Sequence, residues 1–207
     1  LHPANPGSIY HLTKAQDELL FQFYNKMYGL KITDLHQGVV WGTNTEETSQ
    51  HPNLVNRYDY DGDYGTALNR FIMQSAFNFP LTIHGTGNQV RPFININNTA
   101  DCILLASESK GKFEEVKICN QLTETFKLID LAKKIKKITN CKISHQKNPR
   151  IESENNTLIA KPVGLIELGL RPIPLSDNLI KKEIEIAKEN YRRVDVGKIK
   201  AKSQWKI

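Results

Sequence analysis

The chain has 207 residues, 39% of them hydrophobic, which is enough for one substantial core or for one core and a small second region. It contains no apolar run of the roughly 18 residues a membrane span needs, and no charged-then-apolar leader is visible. The net charge of +6 concentrates in Lys127, Lys133, Lys134, Lys136, Lys137, Lys142 and Lys147. These lysines interleave with Leu128, Leu131, Ile135 and Ile138 at helical spacing, the pattern of a solvated face over a buried stripe, so small anionic metabolites fit better than nucleic acid.

Tyr10-His11-Leu12-Thr13-Lys14 opens an amphipathic run that predicts a helix over 10–28. A tyrosine and a lysine four residues apart on a helix share one face. A phenol is a poor base near neutrality until a neighbouring cation favours the phenolate, and Lys14 is placed to supply that charge, making Tyr10 a candidate base. His11 has two readings: a proton shuttle in the same pocket, or a histidine on the helix surface.

Lys31 to His36 reads as a strand, and Gln37-Gly38-Val39-Val40-Trp41-Gly42 as its glycine-bounded end. A helix leading into such a strand is the end of an αβ unit of a parallel sheet, where ligands sit beyond the carboxyl ends of the strands, so Gln37 is a candidate ligand contact. Residues 43–66 are polar and turn-rich, a mobile lid or a functional insertion. The Asp59-x-Asp61-x-Asp63 spacing lacks the glycine and the closing glutamate of a calcium loop, and no metal site is expected.

A second helix is expected over 66–77, then a strand at 80–85 that enters the Gly85-Thr86-Gly87 turn. No helix follows that turn, so Arg91 is the better anion ligand. Further elements are a strand at 93–96, a helix over 99–106, a strand at 116–118, the lysine-faced helix from about 126 and a strand at 142–144. Helices near 161–168 and 178–193 complete the set. Arg150 and Glu152 fall in a loop, where they read either as a diphosphate clamp with a ribose contact or as a surface ion pair. Cys102, Cys119 and Cys141 are odd in number and widely spaced, which signals neither a disulfide framework nor a zinc site and favours a reducing compartment.

Several blocks together resemble one family. They are Tyr10-x-x-x-Lys14, Gln37-Gly38-Val39-Val40-Trp41-Gly42, Tyr60-Asp61, Gly65-Thr66-Ala67-Leu68-Asn69-Arg70-Phe71, Pro80-Leu81-Thr82, Gly87-x-Gln89-x-Arg91 and Asn148-Pro149-Arg150-x-Glu152. The pattern is similar to the UDP-sulfoquinovose synthase family, a branch of the extended short-chain dehydrogenase/reductases and of the NAD-dependent epimerases/dehydratases. His36 stands where that family usually has asparagine, Asn98 where it has aspartate, and Pro92 where it has glycine.

The resemblance implies an α/β, Rossmann-like fold lacking its amino-terminal dinucleotide-binding half. Residues 1–78 would be the later part of the NAD-binding domain, and 79–207 a smaller α/β nucleotide-sugar region, partly interleaved with it. It implies NAD as cofactor, UDP-glucose and sulfite as substrates, and a homodimer paired through the Tyr-Lys helix. Tyr10 would take the proton of the sugar 4-hydroxyl as hydride passes to NAD; water would leave across C5 and C6, sulfite would add at C6, and the hydride would return. Lys14 would lower the pKa of Tyr10 and hold the nicotinamide ribose, with Val40 beside the nicotinamide. Gln37 would contact the hexose; Ala67, Asn69 and Arg70 would lie near the nucleotide sugar; the Thr82 to His84 backbone would meet the uracil; Arg91 and Arg150 would neutralise the diphosphate, with Glu152 on the ribose. The glycine-rich turn that cradles the pyrophosphate would lie upstream of Leu1, so this piece alone is expected to be inactive, in the cytoplasm or a plastid stroma. Two alternatives stand beside this reading: a related NAD-dependent nucleotide-sugar epimerase or dehydratase, and a non-catalytic nucleotide-sugar binding remnant.

Overall fold

The computed structural model describes residues 6, 9–56, 58–62, 64–109, 114–148 and 157–199. The first element, α1 (Ile9–Tyr28), follows from twenty residues without proline or glycine. Among its residues only Asn25 is buried; Leu19, Phe23, Met27 and Tyr28 are half exposed or more, so no described residue covers its apolar stripe.

After α1 comes β1 (Thr33–Gln37), which pairs in parallel with β5 (Lys117–Gln121). The chain then jogs at Gly38, whose N–H donates to the Gln121 carbonyl at 2.8 Å, and resumes as β2 (Val39–Trp41). A Cβ at Gly38 would stand 3.1 Å from the Pro92 carbonyl oxygen, so the residue must be small for one strand to change partners here. Strand β2 pairs in parallel with β4 (Val90–Asn95), whose other edge takes β6 (Glu124–Lys127) antiparallel. A separate parallel pair joins β3 (Leu81–His84) to β7 (Ile143–Gln146). Strands separated by helices and paired in parallel make this an α/β fold, with a strand from the later part of the chain, β5, beside one from the earlier part, β1.

The main core forms around α2 (Ala67–Ala76), buried at every residue after the first and packed among β3, α4 (Leu128–Thr139) and α6 (Asp177–Glu189). Trp41, Leu68, Phe71, Ile72, Met73 and Phe93 are its large inaccessible side chains. Each contributes about 1.5–3 kcal/mol relative to exposure, before conformational entropy is set against it. A smaller cluster of Ile94, Cys102, Cys119, Leu165 and Leu170 fastens α3 (Ile96–Glu108) and α5 (Val163–Glu167) to β4 and β5. The cysteines are free, and burial pushes the Cys102 thiol up to about 11. On α4, Leu131 and Ile135 are buried while Lys133, Lys136 and Lys137 are exposed, as the lysine-faced pattern requires.

The structure corrects several element boundaries. The helix expected from about 126 starts at Leu128, because Glu124–Lys127 form β6 with Phe126 opposite Arg91. The strand expected at 93–96 begins at Val90, and Asn95 ends it by accepting a hydrogen bond from the Asn97 amide as the cap of α3. The last helix stops at Glu189, a 3-10 turn follows over Tyr191–Arg193, and α7 (Val196–Ile199) follows it. Among the described residues no helix is long and apolar enough to cross a membrane.

Candidate active site

Tyr10 and Lys14 share a face in the first turns of α1, with the Lys14 ammonium 6.0 Å from the centre of the Tyr10 ring. Tyr10 is 61% exposed and thus accessible to a reactant. Lys14 donates to Asp17 at 2.9 Å, and that hydrogen bond and charge hold its pKa above the usual lysine value, with smaller contributions from Tyr10 and from Asp34 on β1. The ammonium therefore stays charged through the physiological range. The His11 ring sits edge-on to Tyr10 with centroids 5.7 Å apart, so the fold brings all three side chains into one neighbourhood.

A contact absent from the sequence reading ties α1 to β1. His36 Nε2 lies 3.2 Å from the Asp34 carboxylate and 3.8 Å from that of Glu18, one turn beyond Lys14. The ring nitrogen and the two carboxylate oxygens lie within 4.8 Å of one another, an arrangement that spacing along the chain cannot announce because two elements supply it. Gln37 follows at the exposed carboxyl end of β1, and Val40 is half-buried on β2 after the Gly38 jog.

The second group lies around α2. Ala67 opens the helix, and Asn69 and Arg70 are buried in its first turns. The Asn69 side-chain oxygen and the Thr66 hydroxyl are buried and have no hydrogen-bond partner among the described residues. Thr82 on β3 is held by Gln74, whose carboxamide accepts from the Thr82 amide at 2.8 Å and donates to its hydroxyl at 3.0 Å. The His84 carbonyl accepts from Gln89 at 3.1 Å. Sequence reading missed both glutamines as the parts that fix this strand. Arg91, half-buried on β4, donates to the Val90 carbonyl at 3.0 Å. Arg150 and Glu152 lie outside the described residues.

The 43–66 loop, open as lid or insertion from sequence, is fastened to α6. The Tyr58 hydroxyl donates to the Glu183 carboxylate, and the Thr43 hydroxyl donates to the same carboxylate at 3.2 Å. Burial, then the Glu183 charge, pushes the Tyr58 phenol far above its ordinary range; burial also raises the Glu183 pKa against the opposing pull of those hydrogen bonds.

The fold is that of the Rossmann-like extended short-chain dehydrogenase/reductases, with an accessible Tyr-x-x-x-Lys helix beside a strand end. The chain belongs to the NAD dependent epimerase/dehydratase family, whose model matches residues 1–119, and NAD is that family's cofactor. It is 40% identical over 99% of its length to the chloroplastic UDP-sulfoquinovose synthase of Spinacia oleracea, and 34% identical over 82% to the UDP-sulfoquinovose synthase of Sulfolobus acidocaldarius. In both cases it spans 44% of the relative. Among solved structures, the UDP-glucose 4-epimerase of Thermotoga maritima with UDP-glucose superposes with a TM-score of 0.71 at 23% identity, covering 90% of this chain and 55% of that one. The UDP-glucuronic acid 4-epimerase of Bacillus cereus, in complex with UDP-glucuronic acid and NAD, gives 0.69 at 23% identity over 89% of this chain and 54% of that one. These two likenesses establish the fold.

Proposed function

We propose that this chain is the substrate-binding and catalytic-tyrosine part of a UDP-sulfoquinovose synthase, which forms UDP-sulfoquinovose and water from UDP-glucose and sulfite. The observation that carries this reading is the 40% identity to the spinach enzyme along almost the entire chain. The accessible Tyr10–Lys14 pair supports it. Residues 1–78 are assigned to the cofactor-side domain and 79–207 to the nucleotide-sugar region, with β5 interleaved beside β1.

In this reading Tyr10 is the base for the sugar 4-hydroxyl, and the charged Lys14 ammonium stabilises its phenolate. The residues present fit NAD: Tyr10 and Lys14 form an accessible cation–phenol pair, and the half-buried apolar Val40 suits one side of a nicotinamide ring. NAD, when bound, supplies a reversible hydride acceptor. His11, edge-on to Tyr10, is assigned the proton relay for loss of the sugar 6-hydroxyl as water. Gln37 holds the hexose.

The unpartnered Asn69 oxygen accepts from a hydroxyl of the nucleotide sugar, which would satisfy a buried acceptor otherwise left bare. Ala67 and Arg70 border the same ligand. The Thr82–His84 backbone meets the uracil at the strand fixed by Gln74 and Gln89, while Arg91 and Arg150 neutralise the diphosphate and Glu152 holds a ribose hydroxyl. The active form is a homodimer through α1, and its compartment is the cytoplasm or, like that of the spinach relative, a chloroplast.

A second reading, a UDP-glucose 4-epimerase, is favoured by the 30% identity over 56% of the chain to a putative enzyme of that name from Methanocaldococcus jannaschii. Product mass separates the readings. With UDP-glucose, sulfite and NAD, a synthase yields a nucleotide sugar bearing a sulfonate, an epimerase one with the mass of UDP-glucose, and a dehydratase one lighter by a water. A product without sulfur from a catalytically competent preparation would overturn the synthase assignment. Binding of UDP-glucose with no turnover would favour a non-catalytic module.

A further inference from the structure

Between the 43–60 loop and the end of α6 lies a cavity of about 350 Å³. None of Tyr10, Lys14, Gln37, Asn69, Thr82 and Arg91 lines it. Part of its lining is apolar: Met73 and Ala187 are buried there, with Ile186 and Val194 half-buried beside them. Tyr58 and Tyr60 also line it, but their hydroxyls are engaged elsewhere. Tyr58 donates to Glu183, and Tyr60 accepts from the Asp195 amide at 2.9 Å, which leaves ring surface for the cavity. Those bonds hold both rings in place before any ligand arrives.

Besides the neutral polar groups of Thr43, Asn44, Ser49, Asn56 and Asn190, two opposite charges line it. Glu189 at the end of α6 and Arg193 in the following 3-10 turn are both exposed, and neither is in an ion pair among the described residues. An anion here would face Glu189 and a cation would face Arg193; a molecule carrying both charges satisfies both. The volume is near the lower bound of about 300 Å³ for ligand pockets, which suits a metabolite smaller than a nucleotide sugar.

We infer that this cavity binds a small zwitterion with an apolar body, of which a free aromatic α-amino acid is the simplest case. Its carboxylate pairs with Arg193, its ammonium with Glu189, and its side chain packs on Met73, Ala187 and the rings of Tyr58 and Tyr60.

The test is calorimetric titration of the chain with L-phenylalanine, 3-phenylpropionate, which lacks the ammonium, and phenethylamine, which lacks the carboxylate. L-Phenylalanine is expected to bind saturably, and each analogue roughly two- to fivefold more weakly, the scale of an exposed ion pair. Arg193→Ala and Glu189→Ala, both at exposed positions, should reproduce those losses with an unchanged circular dichroism melt. Ala187→Trp, which fills the cavity, should abolish binding. Absence of saturable L-phenylalanine binding would overturn the inference, and so would analogues equal to L-phenylalanine or binding indifferent to both charge-removing variants.

Discussion

Tyr58, on a long irregular loop, donates its hydroxyl hydrogen to the buried carboxylate of Glu183, far along the chain on α6. The same phenol oxygen lies 2.9 Å from the Glu183 carbonyl, so its one hydrogen is shared between the carboxylate and that carbonyl in a region with little access to water. Tyr58→Phe leaves the Glu183 carboxylate with only its Thr43 partner. The expected cost is about 1–3 kcal/mol in urea unfolding, the range for a buried polar group deprived of its bond. A change below about 0.3 kcal/mol would show that the loop is not fastened this way.

The same carboxylate makes stability depend on pH. Burial raises the Glu183 pKa above its ordinary 4.5, so folding favours the neutral form. The stability associated with that form is fully present below about 4.5 and is lost as pH rises through the raised folded value. Glu183→Gln removes the titration and keeps a carbonyl to accept from Tyr58. The melting temperature of the natural chain minus that of the variant should therefore fall between acid and neutral pH. Glu124 is also raised by burial and contributes in the same direction to both proteins, so the difference isolates Glu183. A flat difference, or one that grows with pH, would contradict the assignment.

Removing the Tyr10 hydroxyl separates catalysis from folding. Since Tyr10 is 61% exposed, Tyr10→Phe should alter stability by less than about 0.5 kcal/mol. In a catalytically competent preparation it should lower kcat by about 10²–10⁴-fold, the usual contribution of a positioned base. Single-turnover kinetics with UDP-glucose checks this; near-normal turnover would remove Tyr10 from the chemistry.

The fold was legible where a residue's own neighbours decide its conformation. The proline-free run over 9–28, the β-branched strands and the buried stripe of α4 follow from periodicity, and their observed limits differ from the expected ones by up to three residues. Strand β6 was missed because Glu124–Lys127 is too short to show a period and is extended only by pairing with β4. The Tyr10–Lys14 pair was readable because one helix supplies both. Gln74 was not, since it acts on Thr82 from another element, and neither were the His36 contacts or the cavity beneath the 43–60 loop. A site assembled from distant segments leaves no spacing signature.

Gly87 turns the chain between β3 and β4 with φ +81°, and a Cβ there would stand 2.9 Å from Ile83 Cγ2 and 3.1 Å from Ile129 Cβ. Gly87→Ala therefore meets both backbone strain and a clash between β3 and the start of α4. A loss of about 1–3 kcal/mol in chemical denaturation is expected. Retention of full stability would mean that the turn can rearrange.

Arg91 sits on β4 opposite Phe126, one residue from the proline that stands where the resembling family has glycine. If its guanidinium neutralises the diphosphate, Arg91→Ala removes charge-assisted hydrogen bonds to one substrate and none to the other. The KM for UDP-glucose should then rise by about 10–100-fold while that for sulfite changes by less than about threefold. Steady-state kinetics with each substrate varied against saturating partner reads both values. Equal increases would place Arg91 where it affects both substrates, and a fall in kcat alone would move it from binding to the chemical step.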